Sequence, residues 1–306
     1  KDLGVNIVFV VEGEEERDSE GFKECINQHK KWFDGTQVTL IINTYWLGDV
    51  RPCLIYGLRG TIDLELELSG PKQDLHSGLD GGNIHEPFHE LSFLLSQLAD
   101  GSGNILIPGF YDKVRQIGVE ENALLDSVEF DMKQYQEYYG IQALKANSVK
   151  DFLVRRWCKP SLSVIGVTSS STKGNAISKS VVAKINIRTV PDQSSADISK
   201  LLTDFIHQKF TQLGSSNRCQ VRIVHTGDPW LGDITNKYYK AASKSIEAVW
   251  KVQPMFVREG GTIPVTPFLE QSFQAPVIHF PMGQSSDRAH LQNERLRVEN
   301  LIKGKD

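Results

Sequence analysis

The sequence predicts an α/β domain interrupted by a smaller, inserted α+β domain. Residues 5–11, 38–42 and 276–280 are short, near-continuous apolar runs, as expected for strands of a sheet buried on both faces. From about residue 59 to residue 227 the strands instead alternate apolar with polar residues, the pattern of antiparallel strands with one dry and one wet face. After Pro229 the first pattern resumes. The expected division is therefore 1–57 with 228–306 as one domain and 58–227 as the insertion, and 306 residues suit two domains.

Each element follows from local pattern. Residues 5–11 form a strand, 19–32 a helix and 38–42 a second buried strand, followed by the turn-rich Tyr45-Trp46-Leu47-Gly48-Asp49. The run Ile62-Asp63-Leu64-Glu65-Leu66-Glu67-Leu68 alternates strictly, and weaker alternation marks strands at 161–167, 181–187 and 220–225. Helices over 85–98 and 196–213 accompany them, which is the composition of an antiparallel sheet with helices on one face. A helix over 236–249, a short helix after Gly261 and the strand 276–280 complete the outer domain.

Composition narrows the function classes. A net charge of -4 without a basic run argues against nucleic-acid binding, and no apolar stretch approaches the ~18 residues of a membrane span. The chain opens at Lys1 and runs straight into a strand, so an upstream segment is expected, leaving the outer domain incomplete at its N-terminus. Cys25, Cys53, Cys158 and Cys219 lie far apart with no CxxC pair, which suits buried thiols in a reducing, cytoplasmic setting.

Five constellations carry candidate chemistry. Glu12-Gly13-Glu14-Glu15-Glu16 crowds carboxylates at the end of the first strand, where a metal ion and a general base would account for them. A solvated acidic turn accounts for them equally. His290 follows the 276–280 strand in Gly283-Gln284-Ser285-Ser286-Asp287-Arg288-Ala289-His290, placed for a metal, though a lone histidine is more often structural. Arg258-Glu259-Gly260-Gly261-Thr262 offers backbone N–H groups to an anion, or simply a helix start capped by Thr262. A glycine-rich turn, Asp74 to Gly82, encloses His76, and Arg188 ends an alternating strand before Val190-Pro191.

In this order and spacing the blocks resemble the M20 metallopeptidase family, and within it the carnosinase and cytosolic non-specific dipeptidase branch. The matching blocks include Glu12 to Glu16, Tyr45-Trp46-Leu47-Gly48, Tyr56-Gly57-Leu58-Arg59-Gly60, Asp74 to Gly82, Gly103-Asn104-Ile105-Leu106-Ile107-Pro108-Gly109, Arg258 to Thr266 and His290-Leu291-Gln292-Asn293-Glu294. The resemblance implies a catalytic domain with two bridged divalent metal ions, zinc or manganese, and an inserted lid that also dimerises. It assigns Glu15 as general base, Glu16 and His290 as metal ligands, and places Asn43 at a ligand position that is normally Asp. His76, Asn175, Arg188, His225 and Thr262 fall at substrate-contact positions, His76 reaching an oxyanion from the partner copy and Arg188 holding the substrate's terminal carboxylate.

The departures matter as much. The family's His-x-Asp motif and bridging Asp have no counterpart here, Asn43 is neutral, Arg288 replaces a glycine, and Arg17-Asp18 follow the paired glutamates. These features resemble peptidase-like subunits of the fungal glutathione-degrading complex, which work with a glutamine-amidotransferase-like partner. The function expected is hydrolysis of dipeptides or short peptides, in glutathione turnover, by a homodimer. The alternative is a non-catalytic subunit that scaffolds a partner enzyme, with amino-acid deacetylation a third option.

Overall fold

The computed structural model describes residues 4–17, 19–171 and 174–305. Among them the strands are β1 (Thr39–Ile41), β2 (Cys53–Leu58), β3 (Gly60–Ser69), β4 (Leu75–His76), β5 (Ser161–Ser169), β6 (Ala176–Ile177), β7 (Ser180–Thr189), β8 (Arg218–Gly227), β9 (Trp230–Leu231), β10 (Met255–Glu259) and β11 (Val277–His279). The chain divides into two compact units, one of residues 1–58, 117–154 and 230–306 and the other of residues 59–116 and 155–229.

The first unit is built on a mixed sheet ordered β1-β11-β2-β10, with β9 also pairing β2. β1 runs parallel to β11, and β2 parallel to β10. β2 is buried at all six positions, which a strand in the middle of a covered sheet must be. Gly57 serves this packing directly: a Cβ there would lie 2.9 Å from Arg258 Cδ. The helix Lys237–Trp250, capped by the Asn236 side chain, closes the core around Leu54, Tyr56, Tyr239, Ile246 and Ile278.

Residues 117–154, expected within the insertion, belong to this first unit instead. Their helix Val119–Ser127 packs Leu124 against that core. Its Glu121 carboxylate pairs with the Arg258 guanidinium and accepts a hydrogen bond from Tyr56 Oη at 3.1 Å. Local periodicity could not disclose this excursion, because the helix Val119–Ser127 is weakly amphipathic and its anchors lie on distant strands.

Two further expectations are corrected here. Residues 5–11 are in no strand and are exposed, Phe9 at 85% and Val11 at 92%. Their apolar run meets no pairing strand among the described residues, and a strand exists only through its neighbours. β1, expected to be buried, is a short half-exposed strand at the sheet edge. The expected helix 19–32 is shorter as well, Phe22–Gln28 followed by a single 3-10 turn, because Gly21 enters it at φ 81°.

One buried group in this unit links pH to stability. His279 on β11 is fully buried, its Nε2 lying 2.9 Å from Thr266 Oγ1 and its ring 5.3 Å from that of Trp230. Burial disfavours the imidazolium and brings its pKa from 6.5 down to about 3. The unfolded chain then binds more protons between those values. Stability from this site is full above pH 6.5 and declines as pH falls toward 3, by about 1.4 kcal/mol per pH unit. Urea midpoints of the wild type and His279→Gln are expected to converge as pH drops from 7 to 4.5; parallel curves would refute this.

The second unit is an antiparallel sheet ordered β5-β7-β3-β8. On β3 the strict alternation puts Ile62, Leu64, Leu66 and Leu68 in the core and Asp63, Glu65 and Glu67 on the open face. The helices Pro87–Leu98 and Ser195–Gln212 cover the apolar face through Leu91, Leu94, Leu98, Ile198, Leu202 and Phe205. Ser194 caps the longer helix by accepting from Asp197 N at 3.2 Å. The open face is tied across strands by the Arg222–Glu65 pair and by Asn186, which donates to Thr61 and Asp63. β5, expected to have one dry face, is exposed along most of its length because it lies at the sheet edge. Among the described residues no helix is long and apolar enough to cross a membrane.

Candidate active site

The candidate site in the first unit grows from the carboxyl ends of β1 and β11. Parallel strands direct their following loops to one edge of a sheet, where α/β proteins place ligands. Asn43 lies two residues beyond β1, and the loop that carries His290 follows β11. Beyond the strands the two segments stay zipped together. Tyr45 and Gly283 form a parallel bridge, Trp46 N donates to Gly283 O at 2.9 Å, and Trp46 Nε1 donates to Pro281 O at 2.9 Å. A side chain at Gly283 would collide with the Tyr45 ring, its Cβ 2.5 Å from Cδ1.

The loop after Gly283 is held from several sides. Gln284 N donates to the buried Asp287 carboxylate at 2.9 Å, and Arg295 N donates to Asp287 O at 3.0 Å. Asp49 Oδ1 accepts from Ser285 Oγ at 3.0 Å and from Ser286 N at 2.9 Å. The buried Asn300 donates to Met282 O at 2.8 Å. These ties support three non-glycine residues in the left-handed region, Arg288 (φ 63°), His290 (φ 59°) and Asn293 (φ 61°). Strained backbone of this kind persists only where the surroundings over-determine it.

Four predicted residues meet at this edge. His290 Nε2 lies 2.9 Å from Glu16 Oε1, and Asn43 Nδ2 donates to Glu15 Oε1 at 3.0 Å. Glu15 and Glu16 open a 3-10 turn, Glu15–Arg17. Tyr45, which the sequence marks only as part of a turn, joins them. Its hydroxyl donates to Glu294 Oε1 at 3.1 Å, and burial, that bond and the charges of Glu294, Asp287 and Glu16 push its pKa up to about 12. It is therefore a neutral donor at neutral pH. Asp18, and the side chain of Arg17, lie outside the described residues.

Thr262 sits on the segment after β10. The following helix, Val265–Phe273, has Pro264 as its N-cap. Glu259 Oε1 accepts from Gly260 N at 2.7 Å and from Gly261 N at 3.3 Å, so the loop's own carboxylate sits on the glycine donors.

The second unit gathers the other four. β4 and β6 pair His76 with Ala176, and Ser77 N donates to Asn175 O at 3.0 Å, so His76 and Asn175 are neighbours. His76 Nδ1 accepts from Gly78 N at 3.0 Å, which fixes the proton on Nε2 when the ring is neutral. Arg188 pairs with Thr61 across β7 and β3, and His225 pairs with Asp63 across β8 and β3. Thr61 and Asp63 are two residues apart on β3, so Arg188 and His225 share the open face with Asn186.

The two metal ions that the resemblance implies need more donors than this edge supplies. A structural or catalytic zinc takes at least three protein ligands. Among the described residues no group of three or more His, Cys, Asp or Glu is arranged to hold a metal ion. Glu16 and His290 supply two donors, and the Asn43 amide turns its N–H toward Glu15. The residues present do not fit a two-ion centre. The cysteines lie elsewhere: Cys53 and Cys158 are buried, with burial pushing the Cys53 thiol up to about 12, while Cys25 is exposed, contrary to expectation.

Residues 56–212 match the family model of the M20 peptidase dimerisation domain. The chain is 40% identical over 307 residues to a Cys-Gly metallodipeptidase of Candida albicans, a match covering 99% of this chain and 63% of that protein. It is 32% identical to the human Beta-Ala-His dipeptidase, covering 99% of this chain and 61% of that one. Among solved structures, the dipeptidase Dug1p of Saccharomyces cerevisiae superposes with a TM-score of 0.85 at 36% identity, covering 96% of this chain and 62% of that one. Human carnosine dipeptidase 1 gives a TM-score of 0.86 at 31% identity, covering 99% and 64%. The chain thus spans just under two thirds of the length of these relatives.

Proposed function

The chain belongs to the M20 peptidase family, and from that premise we propose that it serves a metal-dependent hydrolase of dipeptides or short peptides. The observation that carries this reading is the meeting of Glu15, Glu16, Asn43 and His290, drawn from three distant segments to one sheet edge. Relatives named for Cys-Gly and Beta-Ala-His hydrolysis support dipeptides as the substrate class, and Cys-Gly connects it to glutathione turnover. The reading includes a homodimer formed through the dimerisation domain and a divalent ion, zinc or manganese, whose donors in the described residues stop at Glu16 and His290.

In this reading Glu15 accepts a proton from water as its oxygen attacks the scissile carbonyl carbon. It then delivers that proton to the amine as the C–N bond breaks. His76 from the other copy of the homodimer donates through Nε2 to the developing oxyanion, with Asn175 of that copy beside it. Arg188 pairs with the terminal carboxylate of the substrate, and His225 and Thr262 complete substrate binding.

The test compares Cys-Gly with its C-terminal amide in an amine-release assay, with and without added zinc or manganese. Arg188→Met is expected to raise KM for the free acid about 10-fold to 100-fold, the scale of a lost charge-assisted hydrogen bond. It should leave the amide substrate unchanged. No metal-supported hydrolysis of either dipeptide by the wild type would overturn the reading, and equal losses on acid and amide would remove Arg188 from its role.

A further inference from the structure

In the second unit, His76 ends the two-residue strand β4, and Asn175 precedes its two-residue partner β6. A two-stranded ribbon this short is marginal in water by itself. Packing adds little at its tip, where residues 76–79 are exposed. The place of the His76 ring therefore depends on what ties the ribbon to the four-stranded sheet.

Asp74 makes that tie. Its Oδ1 accepts from Ser170 Oγ at 2.6 Å and from Lys179 N at 2.9 Å. Both donors are fastened to the end of the sheet. Ser170 N donates to Ser180 O at 3.0 Å, Ser180 N donates to Ser170 Oγ at 3.3 Å, and Gly70 N donates to Lys179 O at 2.9 Å. One carboxylate oxygen thus joins the residue before β4 to the residue after β5 and the residue before β7. The Ser170 hydroxyl and the Lys179 amide hold the Asp74 carboxyl below the usual carboxylate range, so at neutral pH it is the stronger, ionised acceptor. With Oδ1 already accepting twice, Asp74 is an anchor and not a substrate contact.

We propose that Asp74 is the positioning residue for His76: by fastening the β4–β6 ribbon to the sheet, it holds the imidazole where the reaction in the other copy needs an oxyanion donor. This rests on the reading of His76 as that donor.

The experiment measures Cys-Gly hydrolysis by the homodimer, loaded with zinc or manganese, for wild type, Asp74→Ala, Asp74→Asn, His76→Ala and Asp74→Ala/His76→Ala. Asp74→Ala is expected to lower kcat about 10-fold to 100-fold, the scale of a misplacement near 1 Å, with KM close to wild type. Asp74→Asn keeps an accepting oxygen and should recover most of the loss. In the His76→Ala background Asp74→Ala should change kcat by less than about twofold, because nothing is left to position. Ser170→Ala removes one of the two donors and should lower kcat by less, which carries the test if Asp74→Ala does not fold. A full further loss in the His76→Ala background, a loss confined to KM, an Asp74→Asn as poor as Asp74→Ala, or an unchanged kcat in Ser170→Ala overturns the proposal. So does wild-type turnover by His76→Ala. Wild type that hydrolyses neither Cys-Gly nor its amide marks failure of the hydrolase reading instead. Deuterium uptake then decides the anchor: it should quicken over residues 75–78 and 175–179 in Asp74→Ala but not in Asp74→Asn, and unchanged uptake in Asp74→Ala overturns it.

Discussion

Glu15→Gln is expected to lower turnover of Cys-Gly by about 100-fold to 10,000-fold, the range contributed by a positioned general base. The substitution isolates the chemistry because it is nearly isosteric. The glutamine keeps a side-chain oxygen that accepts from Asn43 Nδ2, so the contact that holds residue 15 survives. What it loses is the capacity to take a proton from water. Thermal unfolding and KM should stay close to wild type, with the whole loss in kcat, as for an interaction made only in the transition state. Retention of about a tenth or more of wild-type turnover would exclude Glu15 as the base.

The largest expected loss of stability is Glu121→Ala. Arg258 is 3% exposed, lies with its guanidinium carbon 5.4 Å from the centre of the Tyr56 ring, and takes its countercharge from Glu121. Tyr56 Oη donates to the same carboxylate at 3.1 Å. Removing Glu121 takes the countercharge from a buried cation and an acceptor from Tyr56 Oη, a loss of about 3–5 kcal/mol for breaking one side of a buried pair. Glu121→Gln should cost less, because an amide oxygen still accepts from both. The double variant Glu121→Ala/Arg258→Met should recover much of the loss, since a matched apolar replacement leaves no buried charge. Urea unfolding of the four proteins checks this, and a Glu121→Ala midpoint indistinguishable from wild type would refute it. Hydrogen exchange should rise across residues 117–154, which this pair ties to β2 and β10.

Elements whose burial is set by their own side chains were legible in the sequence. β3, β7 and β8 declare themselves by alternation, because one face of each packs on helices and the other meets water. The helices Pro87–Leu98, Ser195–Gln212 and Lys237–Trp250 announce themselves by periodic apolar positions. β2 and β10 did not: one sits in a stretch dense with turn formers and contains Gly57, and the other is short. Residues 5–11 misled in the opposite direction. Their apolar run states what they would do beside a partner strand, and the partner decides whether they do it.

The candidate site divides along the same line. Residue type and position raised Glu15, Glu16, His290, His76 and Arg188 only as weak candidates, and it was the family resemblance that gave them roles and added Asn43. Only tertiary structure put Glu16 against His290, turned the Asn43 amide toward Glu15, and brought Tyr45 into contact with Glu294. It also laid the Glu259 carboxylate over the glycine amides that the sequence offered to a ligand. Sequence by itself determined the alternating sheet, its covering helices and the chemical inventory, since those depend on periodicity and side-chain type. The tertiary structure decided which groups pair and where residues 117–154 belong, because hydrogen bonds between residues hundreds of positions apart depend on angles and distances that no local pattern contains.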